Sequence, residues 1–334
     1  MALTLLQGVG VVAYWRTVSA YGSAERAWHA NQSEGRAEAW DLADTVLSRV
    51  RQLGARVLVP GDPVYPPALY DLHLPPWRLF ALGNSSLLER RAVAIVGTRS
   101  ATAYGERMAR ELAGDLARAG LMVISGLARG IDGVAHRAAL ECGGTTVAVL
   151  GTGLDIAYPA SHRALQAEIA RRGLLLTEEL PGDRADGGSF PRRNRIIAAL
   201  AEATIVVEAG KESGALRTAE HAIDIGRDVA AVPGPVDAPQ SVGTNRLLRD
   251  GAIFIADIDD ARTLMKLQRR GQRSPVLATA AEVAVWEALA TGTTDVDTLV
   301  AVAGLPTRDC MAALTSLELA GAVECSLTGE IRRL

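Results

Sequence analysis

Two turns that combine glycine with arginine are the places where this chain is best equipped to hold an anion. The turn at 97–99, Gly-Thr-Arg, follows the apolar run 93–96, and segment 125–130, which carries Arg129, follows a second apolar run at 121–124. Such unbroken apolar runs are typical of parallel strands covered on both faces. Glycine lets backbone amides approach a ligand, and the following helix offers its positive end. The segments therefore predict one anion pocket at the carboxyl edge of a sheet; a pair of purely structural turns is the alternative.

The densest cationic stretch of the chain, 189–195, reads Ser-Phe-Pro-Arg-Arg-Asn-Arg and precedes an apolar helix pattern. Arginines in the first turn of a helix oppose the helix dipole unless an anion shares the site. Phe190 could stack on a nucleic-acid base beside such a site, or pack in the core. We interpret the stretch as a second border of the anion pocket, with a solvated charged face as the alternative.

Other polar groups are expected at the same edge of the sheet. Segment 208–219 joins a strand-end glutamate to a glycine turn and an N-capping serine, and segment 243–245 is Gly-Thr-Asn. Asp132 and His136 stand four residues apart on one helix face, but no nucleophile or metal set accompanies them, so we favour hydrogen bonds within the fold. The glycine pair at 151–153 lacks the third glycine of a dinucleotide fingerprint. We therefore predict no catalytic residue, no metal and no cofactor.

Composition restricts the classes of partner. The 334 residues have a net charge of -3, 49% of them are hydrophobic, and all but two of the 35 basic side chains are arginine. Binding to nucleic acid must therefore depend on a local basic patch rather than on bulk attraction. The three cysteines give neither a disulfide framework nor a metal knuckle. No apolar run of membrane-spanning length and no signal-peptide pattern is present, so we expect a folded, cytoplasmic protein that does not enter the membrane.

The order of the predicted elements gives the fold class α/β. Strand and helix patterns alternate between 91 and 260, as in right-handed βαβ units. We expect an extended Rossmann-like, doubly wound, mostly parallel sheet, with the short strands near 57–59 and 79–82 at its edge. The predicted domains are a small helical domain at 1–55, the extended Rossmann-like domain at 56–265, a linker at 266–280 and a winged-helix-like domain at 281–334.

Three further helix patterns lie in the cationic stretch, before the linker and in the C-terminal domain. We predict helices at 193–201, directly after Phe190, and at 260–273, running into the linker. The third helix pattern of the C-terminal domain, 310–320, contains no arginine. We therefore favour packing or a protein contact there over insertion into a DNA groove.

Seven motifs occur in a fixed order along the chain: IVGTRSATAYG, VISGLARGIDGVAH, GTTVAVLGTGLDIAYP, FPRRNRIIAAL, VVEAGKESGALRTAEHA, GRDVAAVPG and GTNRLLRDGA. In this order they closely resemble the DprA (Smf) family of DNA-processing proteins. The resemblance covers most of residues 57–255, the unit at 283–334 resembles the family's C-terminal winged-helix-like domain, and the N-terminus fits the sterile-alpha-motif-like domain of many members. It implies a homodimer that binds single-stranded DNA, protects it during natural transformation or recombinational repair, and loads the RecA recombinase, without a catalytic step. Whether double-stranded DNA is bound as well stays open.

The resemblance also implies which residues meet the DNA. A backbone phosphate is accepted at the turn that contains Thr98, where members often have serine and the hydroxyl is retained here. Members often have a basic residue directly after the Tyr-Pro pair; here Ala160 follows Pro159, so His162 and Arg163 are the nearest replacements. With the turn at 243–245, the candidate DNA-binding residues are Gly97, Thr98, Arg99, Ser125, Gly126, Arg129, Gly130, His162, Arg163, Phe190, Arg192, Arg193, Asn194, Arg195, Gly243, Thr244 and Asn245.

Two other hypotheses compete with DNA binding. The first is a nucleoside-monophosphate phosphoribohydrolase-like enzyme on a related Rossmann fold, in which Glu208 and the helix start at 214–220 hold the ribose phosphate. The second is a scaffold for recombination proteins that does not use the pocket.

Overall fold

The apolar runs of the sequence become the strands of one large sheet in a computed structural model of the chain. The structure describes residues 1–30, 35–268, 277–290, 292, 295–320, 322–325 and 331–333. They belong to two units, Met1–Leu267 and Gln268–Leu334. No helix in these ranges is both long and apolar enough to cross a membrane.

The strands of unit 1, within the described residues, form a nine-stranded sheet. They are β1 (Arg56–Leu58), β2 (Leu79–Gly83), β3 (Ala92–Val96), β4 (Met122–Ser125), β5 (Thr146–Val149), β6 (Leu174–Thr177), β7 (Ala203–Val206), β8 (Asp228–Ala231) and β9 (Ile253–Phe254). The order is β1-β2-β6-β5-β4-β3-β7-β8-β9. All neighbours from β6 along this order to β9, which include β5, β4 and β3, pair in parallel. β1 and β2 add an antiparallel edge. The predicted α/β class, the mostly parallel sheet and the edge position of β1 and β2 are confirmed.

Helices precede the sheet and connect its strands. They are α1 (Val11–Tyr21), α2 (Ala24–Ala30), α3 (Arg36–Gln52), α4 (Ala103–Arg118), α5 (Ile131–Glu141), α6 (Arg163–Arg172), α7 (Ser189–Leu200), α8 (Gly214–Asp224), α9 (Val242–Arg249) and α10 (Ile258–Leu264). The N-terminal helices are fastened to the sheet, because α3 contributes Val46 and Val50 to a buried cluster that also contains Phe80 of β2. The Trp15 indole on α1 donates a hydrogen bond to the Pro75 carbonyl, 2.9 Å away.

The core lies on both faces of the sheet, as β3 illustrates. Ala94 and Val96 belong to a buried cluster with Ile196 and Ile197 of α7. Val93 and Ile95 belong to a second cluster, which holds the apolar faces of α4 and α5. Because successive residues of a strand point to opposite faces, the unbroken apolar run is explained by helices on both sides.

The strand order fixes where a ligand would bind. From β3 the chain passes through α4 to β4 on one side, whereas β7 pairs with the other side of β3. The order therefore reverses between β3 and β7, and the connections that leave their carboxyl ends diverge. In open α/β sheets this switch point opens a crevice in which ligands bind.

The predicted bounds of three helices are wrong, and the one predicted at 310–320 spans Thr307–Leu319. α7 begins at Ser189 rather than at 193, because the Asp186 carboxylate accepts hydrogen bonds from the N–H groups of Gly188 and Ser189 and allows an earlier start. The helix predicted at 260–273 is α10, which begins after the capping box of Asp257 and ends at 264. Lys266 has a φ of 51°, a left-handed conformation that a helix cannot continue through. The rest of that prediction, 269–273, lies outside the described residues.

Unit 2 consists of three helices and a short strand pair in its described parts. They are α11 (Ala280–Ala290), α12 (Val296–Ala303), α13 (Thr307–Leu319), β10 (Val323–Cys325) and β11 (Ile331–Arg333). Trp286, Leu299 and Leu314 help to form the buried centre. The Glu282 carboxylate accepts hydrogen bonds from the N–H groups of Ala278 and Thr279 and from the Ser316 hydroxyl, so it joins α11 to α13. The winged-helix prediction for the C-terminal unit is confirmed.

Candidate nucleic-acid interface

The first Gly-Arg turn is held tightly at the end of β3. Thr98 N–H donates to the Glu208 carbonyl at 2.7 Å, which fixes the turn to the end of β7. A side chain at position 97 would place its Cβ 2.5 Å from Ile131 Cγ1, so only glycine fits there. Arg99 is exposed at the tip of the turn. The backbone of the turn is therefore fixed, and it presents the Arg99 side chain at an exposed position.

The second turn touches the first through backbone atoms. Gly130 has a φ of +70°, and a Cβ there would lie 2.3 Å from the Thr98 carbonyl oxygen. Ile131 N–H donates to the same oxygen at 3.3 Å. The Ser125 hydroxyl is fully buried and donates to the Ile95 carbonyl at 2.6 Å, so it joins β4 to β3. The structure thus brings the two predicted turns together at the carboxyl edge.

Asp132 and His136 hold the second turn from within α5. The Asp132 carboxylate accepts hydrogen bonds from the N–H groups of Gly126 and Ala128, at 3.1 and 3.4 Å. His136 Nε2 accepts from Leu127 N–H, so its Nδ1 carries the proton that faces the Thr146 hydroxyl. Burial raises the pKa of Asp132 and lowers that of His136 to about 3. The prediction that this pair makes hydrogen bonds within the fold is confirmed.

A cleft of about 550 Å³ opens beside these turns, at the switch point between β3 and β7. One wall is the turn at 97–99, another is the first half of α7, and the third is the start of α8, where the Ser213 hydroxyl accepts from Ala215 N–H. The charged side chains that line it are Arg99, Asp132, Arg193, Glu212 and Arg217. Three guanidinium groups against two carboxylates give the cleft a modest positive balance.

Arg193 is the buried cation of the cleft, with 6% of its surface exposed. Its Nη1 donates to the carbonyls of Gly126 and Val149, at the ends of β4 and β5, and its Nε donates to Asn194 Oδ1. Burial lowers the pKa of Arg193 to about 10, against the opposing effect of Asp132. The side chain therefore ties strand ends together while it borders the cleft.

The other arginines of the cationic stretch are paired with carboxylates. Arg192 Nη2 lies 3.2 Å from Glu179 Oε1 and 3.3 Å from Asp186 Oδ2. Arg195 Nη2 lies 2.7 Å from both oxygens of Glu178, and both side chains are largely buried. Burial raises the pKa of Glu178, and Arg195 opposes that shift. The loop after β6 thus neutralises much of the charge that the sequence concentrates here.

Three side chains at the mouth of the cleft form a row. The Arg99 guanidinium lies over the Phe190 ring, 5.0 Å from its centroid. The Phe190 and Tyr158 ring centroids are also 5.0 Å apart, with the planes tilted by 40°. A cation over an aromatic face is attracted by the ring quadrupole. The row places an exposed cation and two aromatic rings next to each other.

Several predicted residues lie outside the cleft lining. Gly243 packs against the Ala209 and Gly210 carbonyls, Thr244 is buried, and Asn245 exchanges hydrogen bonds with the Gly234 backbone. His162 is partly buried, with Nδ1 3.1 Å from the Leu127 carbonyl oxygen, and Arg129 and Arg163 are exposed. Their contact with DNA stays a prediction.

The candidate set derived from the sequence omits residues that line the cleft. Glu212, Ser213 and Arg217 come from the start of α8. The set also omits Tyr158, which comes from the loop after β5 and lines the small recess beside the cleft. The signal for the first three was the strand order, since β7 lies across the switch point from β3. Glu208, in contrast, faces away: it is buried, and its carboxylate accepts hydrogen bonds from the N–H and hydroxyl of Thr102.

Comparison with known proteins gives matches along most of the chain. Residues 56–266 match the family described as DNA recombination-mediator protein A, and residues 271–326 match the DprA winged helix domain. The putative DNA processing protein DprA of Mycobacterium tuberculosis is 42% identical over 307 residues, covering 85% of this chain and 79% of the relative. DprA of Bacillus subtilis is 38% identical over 216 residues, covering 64% of this chain and 73% of the relative.

Two solved structures are also similar. DprA from Streptococcus pneumoniae superposes with a TM-score of 0.66 at 34% identity, covering 79% of this chain and 93% of the other. DprA from Helicobacter pylori, solved for its single-stranded DNA binding mode, has a TM-score of 0.58 at 34% identity, covering 64% of this chain and 96% of the other.

Proposed function

Because the chain belongs to the DNA recombination-mediator protein A family, we propose that it binds single-stranded DNA in the cleft at the switch point. The observation that carries the proposal is the exposed Arg99 at the end of a rigid backbone turn, next to Phe190 and in the same cleft as the buried cation Arg193. A guanidinium group binds phosphate with directed hydrogen bonds, and aromatic rings tolerate any base. These are the groups that sequence-independent binding of single strands requires.

The same site argues against the phosphoribohydrolase alternative. Glu208, the carboxylate that would help to hold the ribose phosphate, is 3% exposed and engaged by Thr102. A Cβ at position 105 would lie 2.5 Å from Glu208 Oε2, so the carboxylate is packed against α4 as well. We therefore propose a binding protein without a catalytic step; release of free base from nucleoside monophosphates by the purified protein would contradict this.

The wider role follows the proposed DNA binding. We propose that a homodimer in the cytoplasm protects single strands during natural transformation or recombinational repair and loads the RecA recombinase on them. The test is strand exchange by RecA on DNA already covered by a single-strand-binding protein, with and without this chain. We expect the wild-type chain to shorten the lag before strand exchange. The Arg99→Ala variant should leave the lag as long as it is without the protein.

The direct test of DNA binding is fluorescence anisotropy with labelled single- and double-stranded oligonucleotides at several salt concentrations. We expect Arg99→Ala to lower the affinity for single strands by at least about tenfold at low salt, since a charge-assisted hydrogen bond is worth roughly 1.5–3 kcal/mol. The slope of log affinity against log salt should flatten by about 0.7, the value for one lost phosphate contact.

Arg171→Ala is the matched control. Arg171 is an exposed arginine in the last turn of α6, next to the start of β6 and therefore at the opposite edge of the sheet. Arg171→Ala removes the same charge from the chain as Arg99→Ala, but it should leave both the affinity for single strands and the salt slope unchanged. Equal losses in the two variants would show that only net charge matters and would contradict the cleft as the binding site. If the wild type bound double strands as tightly as single strands, double-stranded DNA would have to be counted among its ligands.

A further inference from the structure

Tyr158 is an exposed aromatic side chain beside the cleft that none of the assigned roles uses. Building on the proposed binding of single-stranded DNA, we propose that Tyr158 is the surface on which a base of the bound strand stacks, while Arg99 holds a neighbouring phosphate. Tyr158 would thus contact the nucleobase, whereas Arg99 contacts the phosphate. The stacking role can therefore fail while the binding of DNA through Arg99 remains true.

The position of the ring follows from the row at the mouth of the cleft. Arg99 contacts Phe190 at 5.0 Å, and Phe190 contacts Tyr158 at 5.0 Å, so the tyrosine lies two steps from the cation. In a nucleotide the base projects from the phosphate across the width of a sugar. A strand whose phosphate lies at Arg99 can thus reach the tyrosine with a base.

Tyr158 is better placed for stacking than Phe190, the aromatic residue that the sequence favours. The Phe190 ring is half-buried between Arg99, Tyr158 and the backbone of Gly151, where a Cβ would lie 2.9 Å from the ring. Tyr158 has 46% of its surface exposed. A base could stack on Phe190 only by displacing one of these neighbours, whereas Tyr158 offers an open ring.

A base that stacks on Tyr158 would lie on the solvent-facing side of the ring, since 46% of the residue's surface is exposed. The recess beside the ring, lined by Gly126, Ala128, Gly151, Thr152, Leu150 and Phe190, has a volume of about 10 Å³ and is too small for a base. The Tyr158 hydroxyl makes no hydrogen bond to any residue in the described part of the chain. The ring is therefore partly open to solvent and is not fastened through its polar end.

The loop that carries the ring is fastened, although the ring itself is not. The Thr152 hydroxyl donates to the Ile156 carbonyl at 2.9 Å. The Asp155 carboxylate accepts from Gly182 N–H at 2.8 Å and from Arg49 Nη2 at 3.2 Å. A fixed backbone reduces the ordering that stacking requires, which favours binding.

The experiment compares a thymidine oligonucleotide with an oligonucleotide of the same length in which every sugar is abasic. Tyr158→Ala should weaken binding of the thymidine strand about five- to tenfold, the low end for one lost base stack. It should leave binding of the abasic strand and the salt slope unchanged, because it removes no phosphate contact. Tyr158→Phe should retain wild-type affinity, since the ring is kept.

Tyr21→Ala is the matched control, because Tyr21 is similarly exposed, at 48%, but belongs to α1. Unchanged thymidine affinity in Tyr158→Ala, with weakened binding in Arg99→Ala, would overturn the stacking role alone. Equal losses on the thymidine and abasic strands would also overturn it, because they would show that the tyrosine only supports Phe190 and Arg99. Absence of DNA binding by the wild type would refute the proposed function and this inference together.

Discussion

Replacement of Arg193 by alanine separates a structural cation from a DNA-binding one. Arg193 is among the residues expected from the sequence to border the bound DNA strand. Its guanidinium, however, is buried and hydrogen-bonded to the carbonyls of Gly126 and Val149. Arg193→Ala would leave both carbonyl oxygens and the buried Asp132 without their cationic partner. We therefore expect its main effect on the free energy of unfolding.

The magnitude follows from these contacts. Removal of one partner from a buried, charge-assisted arrangement costs roughly 3–5 kcal/mol, because the groups left behind remain desolvated. In a unit of this size each kcal/mol lowers the melting temperature by about 2–4 °C. Arg193→Ala should thus melt about 6–20 °C below the wild type. Arg192→Ala, the neighbouring control, loses only exposed ion pairs worth roughly 0–1 kcal/mol and should melt within a few degrees of it.

Thermal and urea unfolding followed by circular dichroism would measure both variants, and hydrogen exchange would locate the change. We expect faster exchange in β4 and β5 of Arg193→Ala, with α11 and α13 of the other unit as an internal reference. The reasoning is refuted if Arg193→Ala unfolds like the wild type while its affinity for single-stranded DNA collapses. Arg193 would then be a ligand contact that the fold does not need.

Two further predictions follow from the same region. The pKa of His136 is about 3 in the folded chain, below its ordinary value of 6.5, so the unfolded chain takes up the proton first and stability is lost as the pH falls from 6.5 towards 3. Between pH 7 and pH 5 the free energy of unfolding of the wild type, measured by urea titration, should fall by about 2 kcal/mol more than that of His136→Gln. Equal decreases would contradict a neutral buried imidazole. The double variant Glu179→Gln/Asp186→Asn frees Arg192 from its ion pairs, so the affinity for single-stranded DNA at low salt should rise by up to about fivefold, as expected for exposed ion pairs. Glu168→Gln is the control, because its partner Arg172 lies at the opposite edge of the sheet. Equal affinities in the wild type and the double variant would show that the carboxylates do not compete with DNA.

The sheet was predictable from the sequence because its determinants are local. Apolar runs such as 93–96 are explained by helices on both faces, and the glycines at 97 and 130 are required where two turns meet backbone to backbone. The bounds of α7 were not predictable in the same way. They depend on Asp186, which lies outside the helix pattern and caps it through the N–H groups of Gly188 and Ser189.

The roles of the arginines could not be sorted from their spacing, because the spacing does not identify their partners. Arg192 and Arg195 are neutralised by carboxylates from the loop after β6, and Arg193 is bound by carbonyls at the ends of β4 and β5. All of these partners come together only when β5 and β6 pair beside α7. A cationic stretch in a sequence therefore shows only how many charges are present. The tertiary structure decides which of these charges can contact a phosphate.

This distinction changes the expected salt dependence of binding. Four to six available arginines would give a slope of about 2.8–4.2 for a single strand, at roughly 0.7 per phosphate. With Arg193 buried and Arg192 and Arg195 paired, Arg99 is the exposed arginine that lines the cleft without a carboxylate partner in the described residues, since Arg217 pairs with Glu220. One or two phosphate contacts per chain predict a slope of about 0.7–1.4 instead. We therefore expect this acidic chain to hold single-stranded DNA through a rigid turn, a buried cation and an aromatic row, which would replace the long-range attraction that its net charge opposes.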